Sequence, residues 1–332
     1  MSALDPDQSP TAEATSADAL RSGARSDSGA PDGAPGAPPA ELAGVYDILS
    51  PRLQDIPLVC ASPHSGCDYS IAFRAQAQLD SLALRRSEDC YVDRIFAGAP
   101  TTGAPLLRAL FPRAFVDANR EPFELDPDMF EEALPAFVNR DSPRAAAGLG
   151  TVPRVVASGA AIYGGKLRFA DAEARVAAYY RPYHAALRRL VDATRGRFGL
   201  AVVLDCHSMP SAGAPTARIT RSIIGPAPAV DVVLGDCHGA SCAPELTDAA
   251  ESLLRAMGYS VARNNPYAGG YTTRHYGAPE AGVHALQVEI NRALYMDEAT
   301  LEPAASLSLL GLHMTRLVAA LGDVATDLAR RG

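Results

Sequence analysis

The 332-residue chain is long enough for one large α/β domain or two medium ones. Its 48% hydrophobic and 20% charged residues are typical of a globular protein. No apolar run approaches the roughly 20 residues that a membrane span requires. The net charge of −8 disfavours nucleic acid or anionic lipid as partners, because both need a basic surface, and it favours small molecules.

The first part of the chain differs in composition from the rest. Residues 1–42 are mostly Ala, Pro, Asp, Ser and Gly, and they cannot bury enough apolar surface to offset the entropy cost of ordering. We therefore predict a disordered tail over 1–42 and a single domain over 43–332. No secretory signal follows Met1, and the six cysteines are scattered singly, so we expect a cytoplasmic protein.

Four apolar runs along the chain each lead into polar residues. The runs are residues 56–61, 104–116, 200–205 and 283–288. Each run predicts a buried strand. The polar residues that follow them include His64, Asn119-Arg120, His207 and Glu289.

Apolar residues recur at helical spacing in three other stretches, residues 171–195, 244–257 and 301–328, which lie between or after these runs. Strands that alternate with helices predict an α/β fold, with a mostly parallel or mixed central sheet covered by helices on both faces. Such sheets bind ligands at the carboxyl ends of their strands, so we expect the polar residues to converge on one site.

Two histidines and one glutamate have sequence contexts that suggest chemistry. His64 and His207 follow predicted strands among small and polar neighbours, which leaves room for an imidazole to bind a metal ion. Either histidine alone is more often a hydrogen-bonded loop residue. Glu289 is flanked by Val288 and Ile290, and a charge within a core-like run needs a reason, although it could be a surface carboxylate. His184 has helical spacing and is expected on a helix face.

Five short motifs in fixed order resemble the N-formylglutamate amidohydrolase family. They are Ser62-Pro63-His64-Ser65-Gly66, Asp117-Ala118-Asn119-Arg120, Asp205-Cys206-His207-Ser208, Gly269-Gly270-Tyr271-Thr272-Thr273-Arg274-His275-Tyr276-Gly277 and Gln287-Val288-Glu289. The resemblance covers nearly everything after the tail. That family is similar in turn to the zinc carboxypeptidases and aspartoacylases, so the resemblance implies a zinc-carboxypeptidase-like fold.

The resemblance also implies one bound Zn²⁺, or another divalent ion, held by two histidines and a carboxylate. His64 would be the first ligand and His207 the last. The carboxypeptidase pattern places a Glu three residues after the first histidine, but this position is Cys67. We choose Asp89, from the acidic segment 88–93, as the carboxylate ligand. The alternatives that stay open are Asp93, Glu88 and Cys67.

For catalysis, the resemblance implies that Glu289 takes a proton from water and delivers it to the leaving amine. Arg120 would contact the substrate and polarise the scissile carbonyl. Arg274 would bind a substrate carboxylate through its planar guanidinium, with a surface ion pair as the alternative interpretation. The remaining residues expected to bind substrate are Asn119, Ser65 and His275.

Together these assignments predict an enzyme of amino-acid catabolism, in histidine degradation, that hydrolyses N-formyl-L-glutamate or a related N-acyl amino acid to formate and L-glutamate. A carboxypeptidase or a cell-wall amide hydrolase is the alternative within chemistry. A metal-bound ligand-binding protein without catalysis is the alternative from another class. The sequence does not indicate the oligomeric state.

Deleting residues 2 to 40 tests the predicted tail. The deletion removes no predicted core residue, so the thermal midpoint and the hydrolytic rate should hardly change. Thermal unfolding and activity assays on the full chain and the truncated chain measure both quantities. A large loss of either would show that the segment packs on the domain.

Overall fold

The computed structural model of the protein describes residues 44–214 and 229–331, so the predicted tail lies outside the described residues. The strands in this part of the chain are Tyr46–Leu49 (β1), Leu58–Ser62 (β2), Leu106–Ala109 (β3), Ala201–Met209 (β4), Val232–Gly235 (β5), Val261–Arg263 (β6) and Val283–Asn291 (β7). The helices are Ile71–Gln76 (α1), Ser81–Arg85 (α2), Val92–Ile95 (α3), Pro143–Ala146 (α4), Phe169–Arg175 (α5), Arg181–Phe198 (α6), Pro244–Ala256 (α7), Tyr271–Tyr276 (α8) and Leu307–Ala329 (α9). A π-helical turn, Val176–Tyr180, joins α5 to α6.

These strands form one mixed sheet in the order β1-β3-β2-β4-β7-β5-β6. Strands β3, β2, β4 and β7 run parallel to one another, whereas β1 is antiparallel to β3 at one edge. Strand β5 is antiparallel to β7 and parallel to β6. The predicted α/β fold with a mixed sheet is therefore confirmed.

Helices cover both faces of the sheet, as predicted, because the central strands are apolar on both sides. Val202 and Leu204 of β4 belong to the core cluster that also contains residues of α3, α7 and α9. Ala201 and Val203, which alternate with them, belong to the cluster that contains the buried residues of α6. The site described below therefore lies on a sheet that is packed from both sides.

Several element boundaries differ from the sequence-based expectation. The predicted strand over 104–116 is too long, because β3 ends at Ala109 and Pro112 then begins a turn in which its carbonyl accepts from Phe115 N. Proline has no N–H to continue a ladder. Strands β4 and β7 run past their predicted ends, so His207 and Glu289 lie inside strands rather than after them. Strands β1, β5 and β6 were not predicted, because three or four residues carry too little pattern.

The predicted helices are present with shifted ends, and the first of them is interrupted by the π turn. Helix α9 is long and apolar enough to cross a membrane by length and composition, contrary to the expectation that no segment would qualify. One stripe of α9, formed by Leu310, Met314, Leu317 and Leu321, is buried in the core. That stripe is the pattern of an amphipathic helix packed on a globular core.

The loop after β2 offers a test of the packing. Asp68 N donates to Leu110 O at 2.9 Å, and this contact leaves no space beside Gly66. A Cβ on Gly66 would lie 2.6 Å from the Leu110 carbonyl carbon and closer still to Phe111 O. Since backbone atoms must move to relieve the contact, Gly66→Ala should lower the free energy of unfolding by about 1–3 kcal/mol.

Thermal or urea unfolding measures this effect, and Gly165→Ala is the matched control. No atom lies within 4 Å of a Cβ placed on Gly165. The control should change stability by less than about 0.5 kcal/mol. Equal stabilities for the two variants would contradict the packing described here.

Candidate metal centre

Three buried side chains converge above the carboxyl ends of β2 and β4. His64 follows β2, Asp89 lies between α2 and α3, and His207 belongs to β4. One ligand atom from each lies within 4.8 Å of the others. His64 Nδ1 is 3.4 Å from Asp89 Oδ2, and His207 Nδ1 is 3.0 Å from the same oxygen. The structure thus brings together the three residues that the sequence analysis selected as metal ligands.

The surroundings of the two histidines fit a metal ion. His64 Nε2 lies 2.7 Å from Asp117 Oδ1, and His207 Nε2 lies 2.9 Å from Asp205 Oδ1. A carboxylate at the outer nitrogen keeps the proton there, so the inner nitrogen faces the cluster with a free lone pair. Among the described residues, the buried His64 Nδ1 has no hydrogen-bond partner. Two imidazoles and one carboxylate form a ligand set that suits Zn²⁺.

The electrostatics of the cluster also favour a bound metal ion. Burial by itself would raise the pKa of Asp89, but the hydrogen bond from His207 and the nearby His64 ring hold that pKa well below its usual value. Burial would lower the pKa of His207, but Asp205 and Asp89 outweigh it and raise that pKa well above its usual value. A site negative enough to retain a proton on a buried imidazole also attracts a divalent cation, which competes with that proton.

The other candidate ligands do not reach this cluster. Asp93 forms an ion pair at 3.0 Å with the arginine of β3. Glu88 accepts hydrogen bonds from the arginine of α2 and from Cys90. Cys67 is exposed. Among the four candidates, the structure places only Asp89 beside the two histidines.

Two arginines that were not predicted support the acidic residues. Arg292 Nη2 donates to Asp89 Oδ1 at 2.9 Å, while its Nε donates to Ser208 Oγ at 3.1 Å. Arg113 Nη2 donates to Asp117 Oδ2 at 2.7 Å, and its Nη1 lies 3.7 Å from Asp89 Oδ1. Arg113 interrupts the apolar run 104–116, so the criterion that selected Glu289 also applies to it. Arg292 directly follows β7, the strand that contains Glu289, so its position after an apolar run could also have indicated a site residue.

Glu289 lies next to the cluster because β7 pairs with β4. The two strands are in register over nine pairs, in which Glu289 is the partner of His207. Its side chain is 7% exposed, and Gln287 Nε2 donates to its Oε1 at 2.7 Å. Burial raises the pKa of Glu289 to about 7, against the attraction of His207 and with added repulsion from Asp89. A carboxylate with this pKa can both take and give a proton near neutral pH.

Asn119 and Arg120 are fixed by hydrogen bonds to the backbone around them. His184 Nε2 donates to Ala118 O at 2.8 Å, and the Tyr180 hydroxyl donates to Arg120 O at 2.8 Å. Burial lowers the pKa of His184 to about 4, so the ring is a neutral donor. His184 does lie on a helix, as expected, but its buried face positions this loop. Motifs alone did not indicate that role.

A cavity of about 270 Å³ opens beside the metal cluster. Of the predicted site residues, those that line it are His64, Asp89, Asn119, Arg120, His207 and Glu289. Lining residues that were not predicted for the site include Arg113, Arg144, Tyr267, Gly269, Gly270, Gln287 and Arg292.

Three predicted substrate-binding residues do not line this cavity. Arg274 is exposed on α8 and donates to Gly269 O at 2.8 Å, because the buried face of that helix is formed by its threonines and Tyr276. His275 is also exposed and stacks on the Tyr271 ring at 4.8 Å. Ser65 shares a hydrogen bond of 2.8 Å with the hydroxyl of Ser62. In the motif 269–277, which contains Arg274 and His275, Gly269 and Gly270 line the cavity instead. A Cβ on Gly270 would collide with the Asn119 amide.

Comparison with known proteins identifies the family of this chain. Residues 56–296 match a family model described as N-formylglutamate amidohydrolase. N-formylglutamate deformylases of Pseudomonas putida and Pseudomonas aeruginosa are each 31% identical to this chain, over 254 and 255 residues. Both alignments cover 76% of this chain and 86% of the relative.

Solved structures extend the comparison to the fold. The crystal structure of N-formylglutamate amidohydrolase from Ralstonia eutropha JMP134 is 36% identical, with a TM-score of 0.77, over 87% of this chain and 99% of that chain. A gene product of Agrobacterium tumefaciens has a TM-score of 0.59 at 16% identity, over 86% and 97% of the two chains, and shares the fold. The chain belongs to the N-formylglutamate amidohydrolase family.

Proposed function

We propose that this protein is a metal-dependent amidohydrolase that hydrolyses N-formyl-L-glutamate to formate and L-glutamate. The observation that carries the proposal is the position of Glu289, which lines the same cavity as the His64, Asp89 and His207 cluster and is the strand partner of His207. The names and similarity of the Pseudomonas and Ralstonia proteins support the choice of substrate.

Zn²⁺ is the expected ion, and His64, Asp89 and His207 would hold it. When bound there, the ion supplies Lewis acidity, which activates water at neutral pH and polarises the scissile carbonyl. Asp117 and Asp205 hold the outer nitrogens of the two histidines and so orient the rings.

Glu289 supplies the proton transfers. Gln287 holds its Oε1, which leaves Oε2 to accept a proton from the attacking water. The water oxygen adds to the formyl carbon, and the carbon–nitrogen bond then breaks as Glu289 returns the proton to the amine nitrogen. The products are formate and the free amino acid. A pKa raised toward neutrality by burial suits both directions of transfer.

Arg120 and Asn119 bind and orient the substrate in this proposal. The buried Arg120 guanidinium donates through Nε to Leu149 O at 2.9 Å, and its Nη2 lies 3.9 Å from Asp117 Oδ2. It is therefore only weakly neutralised and can meet a substrate carboxylate or the developing oxyanion. The cavity of about 270 Å³ suits a small amino-acid derivative better than an extended peptide, which disfavours the peptidase alternative.

Metal analysis tests the ligand assignment. His207→Ala and Asp89→Asn should each remove near-stoichiometric Zn²⁺, with losses of affinity above the roughly 10- to 100-fold typical of residues that only orient ligands. Asp93→Asn is the matched control, because Asp93 pairs with an arginine outside the cluster, and it should keep its metal. Circular dichroism checks that each variant is folded. Full Zn²⁺ occupancy in a folded His207→Ala protein would sink the assignment.

Glu289→Gln separates an enzyme from a binding protein, since the amide keeps size and hydrogen bonding but cannot accept the proton. We expect kcat on N-formylglutamate to fall by about 10²- to 10⁴-fold with normal metal content. Glu280→Gln makes the same chemical change at an exposed position and should leave kcat unaltered. A Glu289→Gln enzyme that works at the wild-type rate would remove Glu289 from the mechanism, and loss of metal would make it a ligand instead.

A further inference from the structure

Arg144 is a cation at the cavity with no assigned role. It belongs to the short helix α4, is exposed, and lines the cavity beside the metal cluster. Within residues 44–214 and 229–331, its guanidinium makes no hydrogen bond or ion pair. Arg113 and Arg292 line the same cavity, but both are committed to Asp89 or Asp117. Arg144 therefore presents a free positive charge to whatever enters.

The backbone of Arg144 is held firmly although its side chain is free. Ser142 caps α4 by accepting from Arg144 N at 3.1 Å, and the Ser142 hydroxyl donates to the buried Glu124. Leu149 N donates to Arg144 O at 2.8 Å. The carbonyl of the same Leu149 accepts from Arg120 Nε at 2.9 Å. Leu149 therefore links the backbone of Arg144 to the guanidinium of Arg120.

The cavity is lined by more arginines than carboxylates, with Arg113, Arg120, Arg144 and Arg292 against Asp89, Asp117 and Glu289. Asp89 is paired with Arg292 and Asp117 with Arg113. Burial lowers the pKa of Arg120, and the positive charges of Arg113 and Arg144 lower it further, which agrees with their proximity. Two guanidinium groups that line one cavity, Arg120 and Arg144, suit a ligand with two carboxylates.

The difference in burial between Arg120 and Arg144 indicates which substrate carboxylate each arginine would bind. In an N-formyl dicarboxylic amino acid, the α-carboxylate is close to the scissile amide, and the side-chain carboxylate lies farther along the molecule. Arg120 is 9% exposed and approaches Asp117, which bonds to the proposed ligand His64. Arg144 is exposed, and in the described part of the chain its guanidinium forms no hydrogen bond or ion pair with any of these residues. The inner position therefore suits the α-carboxylate and the outer position suits the side-chain carboxylate.

We infer that Arg144 binds the side-chain carboxylate of the substrate and thereby gives the enzyme its preference for acidic over neutral N-formyl amino acids. This inference rests on the proposed function, because it assumes that the scissile amide lies at the metal cluster. It replaces Arg274, which the structure places outside the cavity, as the residue that recognises the second carboxylate.

A comparison of N-formylglutamate with N-formylglutamine tests the inference, because these substrates have almost the same shape and differ in one charge. The ratio of their kcat/KM values should fall roughly 10- to 100-fold in Arg144→Gln, the loss expected for one charge-assisted contact. Arg144→Lys keeps the charge without the planar fork and should retain part of the preference. Arg140→Gln removes the same charge at an exposed position outside the cavity and should preserve the ratio.

A second measurement separates binding from catalysis. Calorimetric titration of the two N-formyl amino acids into Glu289→Gln, with and without Arg144→Gln, gives the ratio of their Kd values. A ratio that falls only with Arg144→Gln supports the inference, and a ratio that stays constant in both assays overturns it. If the wild-type protein hydrolysed no N-formyl amino acid, the proposed function would fail, and the ratio of Kd values alone would decide the role of Arg144.

Discussion

The parallel pairing of β4 with β7 is the constraint on which the site depends. Neighbouring strands lie about 4.8 Å apart, and side chains of paired residues emerge on the same face of the sheet. Because the register matches His207 with Glu289, a proposed metal ligand and a proposed proton acceptor are adjacent without any contribution from a flexible loop. Two residues nearer the strand start, on the same face, Asp205 is paired with Gln287, and their side chains contact His207 and Glu289 respectively.

A buried network of this kind is costly unless its charges are matched. Asp117 and Asp89 each have an arginine and a histidine as hydrogen-bond partners: Asp117 has Arg113 and His64, and Asp89 has Arg292 and His207. Glu289 differs, because its hydrogen-bond partner is the neutral amide of Gln287. Burial raises its pKa, so the carboxylate that is least stabilised as an anion is also the one suited to carry protons.

Much of the site could be predicted from sequence because its main residues adjoin long apolar runs. His64, His207 and Glu289 follow or interrupt such runs, whereas Asp89 was chosen only through the family resemblance and the alternatives were excluded by three-dimensional contacts. The strand ends were misplaced because polar residues continue the ladder of β4 and β7. In a polar pattern, periodicity does not show where pairing stops.

The residues that were missed lie where sequence carries little directional information. The family resemblance implied that Arg274 binds a substrate carboxylate, but a six-residue helix such as α8 does not reveal from sequence which face is buried, and Arg274 is exposed. Arg144 belongs to a stretch of turns with one short helix, where neither strand nor helix spacing is evident. Its relevance comes from long-range bonds through Leu149 to Arg120.

The π turn at Val176–Tyr180 sets a limit on how this part of the chain can change in length. Helix α5 buries Ala172 in one core cluster, and α6 buries Leu187 in another, so the two helices face different parts of the interior. One residue corresponds to a rotation of about 100° around a helix axis. A single-residue deletion within the π turn would give a continuous α-helix but would rotate one of these faces out of its cluster. We therefore expect this segment to tolerate substitutions more readily than insertions or deletions, because the number of residues keeps both packing surfaces in place.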